Sequence, residues 1–305
     1  MTHRGAATAG LAAYLPLLAE IGDLKRVRAA HLEGSVASGL FRDSWSALAG
    51  GAGAGDLALA ATAGTLSSAR LGAVDGAALA RGGLSDAESG ATLRAAFDAV
   101  ATPLPDELRR SLRGRAEGIE GHAGRGVPGF VAALERQPRA GATRPGQPRL
   151  VLEPPESHAE HCATVAVYGV LLSEAFGARP GPVFVAGLAH HLHNAGLPDS
   201  GFAGEVLLGG HLERVADTFR EAALAELPEP ARRQAGEAIE LTAHTGSPEA
   251  RAFHAADVLD RVLQMRHYER QAGFVLDQAL EEMELVHPGP LKDFQDAVLT
   301  EAGLR

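Results

Sequence analysis

Read for its apolar and polar positions, the chain falls into a succession of helical stretches. From Leu11 to Leu134, runs rich in Ala and Leu are separated by glycine-containing breaks, among them Gly50-Gly51-Ala52-Gly53-Ala54-Gly55 and Gly82-Gly83. Glycine weakens a helix interior and punctuates it, so this half reads as a set of helices. Between Gln137 and Pro155 the pattern gives way to Pro, Arg and Gly, with Pro138, Pro145, Pro148, Pro154 and Pro155. Proline lacks a backbone donor and biases its predecessor away from helix, which predicts an extended connector. The expected organisation is an N-terminal helical domain over 1–135, a connector over 136–156 and a second helical domain over 157–305.

The second half carries clearer helix signals. Ser157-His158-Ala159-Glu160 has the form of a capping box, in which Ser caps the helix start and Glu reaches back. A helix is predicted from about His158, running through Val165, Val167, Val170, Leu171 and Leu172 to a stop at Gly177. A second is expected from Pro182 to about Ala195, and others at about 211–226, 229–243, 248–268 and 270–286. No alternating strand pattern interrupts them, and the predicted fold class is all-α.

Composition fits this picture. Hydrophobic residues make up 46% of the 305 and aromatic ones 5%, so the core is built mainly from Ala, Leu and Val, which favours helices. The formal net charge of −10 argues against a broad attraction to nucleic acid or anionic lipid. No apolar run approaches the ~20 residues that span a bilayer. The segment Met1-Thr2-His3-Arg4-Gly5 lacks the apolar core of a signal peptide, which predicts a cytoplasmic protein. The single cysteine, Cys162, has no partner for an internal disulfide and reads as core packing. The glycine cluster at 50–55 lacks the Lys-Ser/Thr of a phosphate-cradling loop and reads as a turn.

The informative feature is histidine. Eight of the 13 lie between His158 and His254, on different predicted helices rather than in one tract. Neutral imidazole binds transition metals, and carboxylates add oxygen ligands and negative charge, so a buried His/Asp cluster makes a metal cage. On spacing, His158 shares a helix face with His161, and His193 follows His190 by three. His254 and Asp260 flank Asp257 in the same way. These neighbours suit substrate contact or support of a ligand better than ligation.

Five segments, in order, resemble the HD-domain superfamily of metal-dependent phosphohydrolases. Glu156-Ser157-His158-Ala159-Glu160-His161 is similar to its first metal-histidine segment and points to His161. Phe184-Val185-Ala186-Gly187-Leu188-Ala189-His190-His191 is similar to the apolar helix ending in adjacent His and Asp; His190 matches, and His191 stands where Asp belongs. His211 in Gly209-Gly210-His211 and His244 in Ala243-His244-Thr245-Gly246 resemble the extra pair that holds a second metal in some members. Phe253-His254-Ala255-Ala256-Asp257 resembles the closing segment, with Asp257 as ligand. An alternative register sets His193-Asn194-Ala195-Gly196 against the signature instead. The resemblance spans residues 156–260 and leaves the N-terminal half unassigned.

The resemblance implies an HD-like helical bundle holding one or two divalent transition-metal ions, Fe, Mn, Co or Zn, through His161, His190, His191, His211, His244 and Asp257. A neutral imidazole at 191 cannot bridge two ions as a carboxylate does, which favours one ion or a different bridge. The implied activity is phosphohydrolysis of a nucleotide or other small phosphoester. His193 is the expected proton donor, with Asp199 and Glu205 as acids near the mouth. Arg144, Arg149, Arg214 and Arg251 are the candidates for phosphate contact. Two alternatives stay open: an HD-type di-iron oxygenase, and an inactive regulatory or interaction module. Neither membrane nor nucleic acid is an expected partner, and the oligomeric state, a homodimer included, is left open.

Overall fold

The helix announced by the capping box is the axis of the molecule. In the computed structural model, Ser157 Oγ accepts from the Glu160 backbone N–H at 3.2 Å while the Glu160 carboxylate accepts from the Ser157 N–H at 2.8 Å. The structure describes residues 10–119, 126–272 and 275–305, without side chains at 270–272; Met1–Gly5 lie outside these.

Among the described residues fourteen α-helices follow in chain order. They are α1 (Leu15–Asp23), α2 (Val36–Ala49), α3 (Ala54–Leu71), α4 (Gly76–Arg81), α5 (Asp86–Val100), α6 (Asp106–Arg113) and α7 (Gly129–Arg136). After the connector come α8 (His158–Phe176), α9 (Pro180–Ala189), α10 (Gly201–Leu208), α11 (Leu212–Ala225), α12 (Glu229–Glu240), α13 (Pro248–Ala272) and α14 (Lys292–Glu301). Among the described residues there is no β-strand, only isolated bridges such as Ala142 with Leu150. None of the described helices is long and apolar enough to cross a membrane.

Every residue of α8 except Glu174 and Ala175 is buried. A helix apolar all round is stable only when surrounded, and α8 packs against α2, α3, α9 and α13. It stops at Gly177, whose φ of 67° is the left-handed conformation that glycine adopts without strain. The approach of α9 is very close: a Cβ built on Gly187 would lie 2.4 Å from Ala166 Cα. Only hydrogen fits there, and this contact sits about one helical turn from both His161 and His190.

The helices of the N-terminal half are built into the same core. α2 and α3 pack on α8, α3 also on α9, and α1 on α13. One cluster of buried apolar residues runs from Leu11 to Leu304. Within it, Trp45 meets Phe130 edge-on at 5.0 Å between ring centroids. Packing therefore runs across the connector rather than stopping at it.

Element boundaries depart from the expected ones in two instructive places. The helix expected to reach Ala195 ends at Ala189, and a 3₁₀ turn spans Leu192–Ala195. Successive residues on an α-helix diverge by about 100°; the break at His191 (φ −111°, ψ 20°) lets His190 and His191 face one region, their ring centroids 4.3 Å apart. Of the helix expected at 270–286, the described residues show the end of α13, to Ala272, and a short π-helical turn, Gln278–Glu282.

Candidate metal centre

The cluster forms where α8, the end of α9 and α13 meet. His161 is fully buried in the first turns of α8, and its Nδ1 lies 2.7 Å from Asp260 Oδ2 on α13. An ionised carboxylate only accepts, so this nitrogen carries the proton. Asp260 is held below the usual carboxylate range against its own desolvation by Lys25 and His161. His190 Nδ1 lies 2.8 Å from the Gly187 carbonyl and donates to it in the same way. Burial, and then the neighbouring His161, push His190 down to about 3, so it is a neutral ring.

With both Nδ1 protons committed, the two Nε2 atoms face each other at 3.1 Å. Asp257 Oδ1 stands 3.3 Å from His161 Nε2 and 4.0 Å from His190 Nε2. Asp257 is held well below the usual range against its own desolvation, with the Arg261 guanidinium beside it. Two lone pairs and an anionic oxygen thus converge with no donor between them. Such a set repels itself until a cation, a metal ion or a proton, enters. Nitrogen and oxygen donors at this spacing suit a divalent transition metal, and the His161–Asp260 pair is the carboxylate support that orients a metal-bound imidazole.

His191 completes the group: one ring nitrogen each of His161, His190 and His191 lie within 4.8 Å of one another. Its Nδ1 meets Asn194 Oδ1 at 2.9 Å, and the Asn194 amide donates to the Leu197 carbonyl at 3.0 Å, which fixes the amide's orientation. His191 Nε2 therefore offers a lone pair, and that lone pair meets Arg139 Nη1 at 3.0 Å. The imidazole at 191 is thus engaged by a guanidinium.

In front of the cluster opens a cavity of about 480 Å³ lined by His190, His191, Asp257, Asp199, Arg139 and Arg261, among others. A second cavity of about 430 Å³ shares the wall formed by Arg139, Asp199 and Arg261 and is lined further by Leu152, Met265 and Tyr268. Arg139 and Arg261 stand between the two. Arg261 Nη1 lies 3.6 Å from Asp257 Oδ2 and its other amino group donates to the Leu285 carbonyl.

His161, His190, His191 and Asp257 are thus brought together. His211 and His244 are not brought to the group: both are exposed. His211 ends a 3₁₀ turn beside Arg214, and His244 Nδ1 accepts from the Gly246 N–H at 3.1 Å. His193 is not brought to the cavity either. Its Nδ1 is buried without a partner, and desolvation followed by Arg220 lowers its pKa to about 4, so it is a poor proton donor at neutral pH. Asp199 lines the cavity but is no acid. Its oxygens accept from the Ala140 N–H at 2.9 Å and the Gly201 N–H at 2.8 Å, and although desolvation opposes it, Arg139 and these N–H donors keep it ionised. Glu205, on the same cavity wall, is the better acid, raised by desolvation and by Asp199.

His158 is fully buried, its ring 4.6 Å from that of His191. Neither of its nitrogens has a hydrogen-bond partner: Nε2 lies 3.4 Å from Asp199 Oδ2 but out of line for a bond. Desolvation lowers it to about 4. Cys162 is buried, its thiol pushed up by desolvation, which suits packing rather than nucleophilic chemistry.

Of the expected arginines, Arg144 binds the Glu282 carbonyl, Arg251 the Thr245 carbonyl and Arg149 the carbonyls of Ala140 and Ser200. Arg139 and Arg261 were missed because nothing in their local sequence separates them from the other arginines. Comparison of the chain with models of known families, with curated proteins and with solved structures found no match.

Proposed function

We propose that the chain is a metal-dependent phosphohydrolase of the HD type, acting on a nucleotide or other small phosphoester. One observation carries this reading: His161 Nε2, His190 Nε2 and the Asp257 carboxylate converge without a donor among them, beside a cavity lined by two arginines. His161, His190 and Asp257 would hold a divalent ion, with His191 next to it. A bound ion supplies a polarised phosphoryl oxygen and a water acidified toward neutral pH.

The chain's own groups supply the rest. Arg139 and Arg261 grip the phosphate through paired guanidinium donors. Asp199, ionised and anchored to the backbone of Ala140 and Gly201, fixes the loop that carries Arg139. Glu205, on the cavity wall with its pKa raised by desolvation and by Asp199, is the group placed to donate a proton to the leaving oxygen. The imidazole at 191, engaged by Arg139, lacks the carboxylate that bridges two ions, which favours a single-ion hydrolase over a di-iron oxygenase.

The test is release of inorganic phosphate from a panel of nucleoside monophosphates and p-nitrophenyl phosphate by chelator-stripped protein resupplied with Mn²⁺, Co²⁺, Zn²⁺ or Fe²⁺. Turnover that requires the ion and disappears in Asp257→Asn is the expected result. Metal binding without turnover on any substrate would instead favour a regulatory module.

A further inference from the structure

The N-terminal half shows no chemical motif, yet one of its side chains reaches the back of the cluster. Lys25, in the turn after α1, is 4% exposed. Its Nζ donates to both Asp260 oxygens, at 2.6 and 2.8 Å, and forms an ion pair with Glu156. Asp260 is the carboxylate that orients His161. Around Lys25 the same stretch of chain makes further ties: Ser35 Oγ donates to Glu160 Oε1 at 2.7 Å, Arg26 Nη2 to Gln264 Oε1 at 2.6 Å, and the Tyr168 hydroxyl to the Leu18 carbonyl. Residues 18–35 thus clasp the start of α8 and the middle of α13.

Glu156, His161 and Asp260 each place one ligand atom within 4.8 Å of the others. On spacing alone this is a second cation site, on the opposite edge of the His161 ring from the first. The Lys25 ammonium already stands among its carboxylates. It supplies three N–H donors and a fixed positive charge where two buried carboxylates would otherwise repel each other.

We propose that Lys25 is a resident cation: its ammonium fills the space between the Glu156 and Asp260 carboxylates and holds Asp260 as the acceptor that orients His161. The role assigned to residues 18–35 is therefore positioning, delivered from outside the region that resembles the HD superfamily. Only the effect on metal affinity rests on the reading of His161 as a ligand; the filling of that space does not.

Lys25→Ala leaves a hole that a small alkylammonium ion fits. The variant should melt lower by on the order of 10 °C, and ethylammonium chloride should restore most of that loss while leaving the wild type unmoved. Lys25→Met, which fills the hole without charge, should not respond to the amine. Zn²⁺ affinity, titrated by calorimetry in chelator competition, should fall about 10- to 100-fold in Lys25→Ala and recover with ethylammonium. If Lys25→Ala does not fold alone, the amine is added during refolding, and recovery of the helical circular dichroism is the readout. An amine-insensitive Lys25→Ala, or one that binds Zn²⁺ as the wild type does, would overturn the proposal. Wild-type protein that binds no Zn²⁺ would sink the ligand reading, and the amine-dependent melts would still decide the role of Lys25.

Discussion

Two sets of histidines occupy the C-terminal half, and they differ in what holds them. His161 and His190 sit on packed helices, with each Nδ1 proton committed to a carboxylate or a carbonyl and each Nε2 aimed inward. His211 and His244 sit exposed, at or beside 3₁₀ turns at the edge of the molecule. The sequence offered all four as candidate ligands. The difference teaches that a histidine is made ready to hold an ion by the hydrogen bond on its other nitrogen and the packing that fixes it, not by its neighbours in sequence.

The sharpest way to break that contrast is to exchange one histidine from each set. His161→Ala should cost about 1,000-fold in metal affinity, roughly 4 kcal/mol, with the fold retained because Lys25 still pairs with Asp260. Competition calorimetry checks the first part and circular dichroism the second. A wild-type affinity in this variant would erase the distinction between the sets.

Acid should separate the sets next. His158 titrates at about 4 in the folded chain, against an ordinary value near 6.5. Between these values the unfolded chain binds the extra proton, so stability falls as pH drops from 6.5 to 4, by about 3 kcal/mol for this group alone. Urea unfolding across that range should show the loss, and His158→Gln should reduce it. His211→Gln, at an exposed site, should leave the curve unchanged.

Packing supports the first set only. Gly187→Val has no room against Ala166 and should destabilise the fold by about 1–3 kcal/mol through overpacking, while moving His190 and weakening metal binding in the same titration. The smallest effects belong to the outer set. His211→Ala and His244→Ala should each change stability by less than about 0.5 kcal/mol and leave metal content unaltered.

The parts of the architecture that were legible in the sequence are those written locally. Ser157, Glu160 and Gly177 mark the ends of α8 because capping depends on residues only a few positions apart. The positions of His161, His190 and Asp257 could be read as candidates for the same reason, since each lies in a short helical context. Lys25, Arg139 and Arg261 carried no such signal. Lys25 meets Asp260 across 235 positions and Arg139 meets His191 across 52, so only the packed chain brings them to the cluster. The short α10 and α14, of eight and ten residues, also went unread. The break after Ala189 also escaped notice, although it is what turns His191 toward His190.

The central claim is that the buried set holds a metal ion, and elemental analysis of untagged protein by plasma mass spectrometry tests it most directly. About one divalent transition-metal ion per chain in the wild type, lost in His161→Ala and kept in His211→Ala, is the predicted result. No metal in the wild type after anaerobic reconstitution, or equal metal in all three proteins, would contradict it.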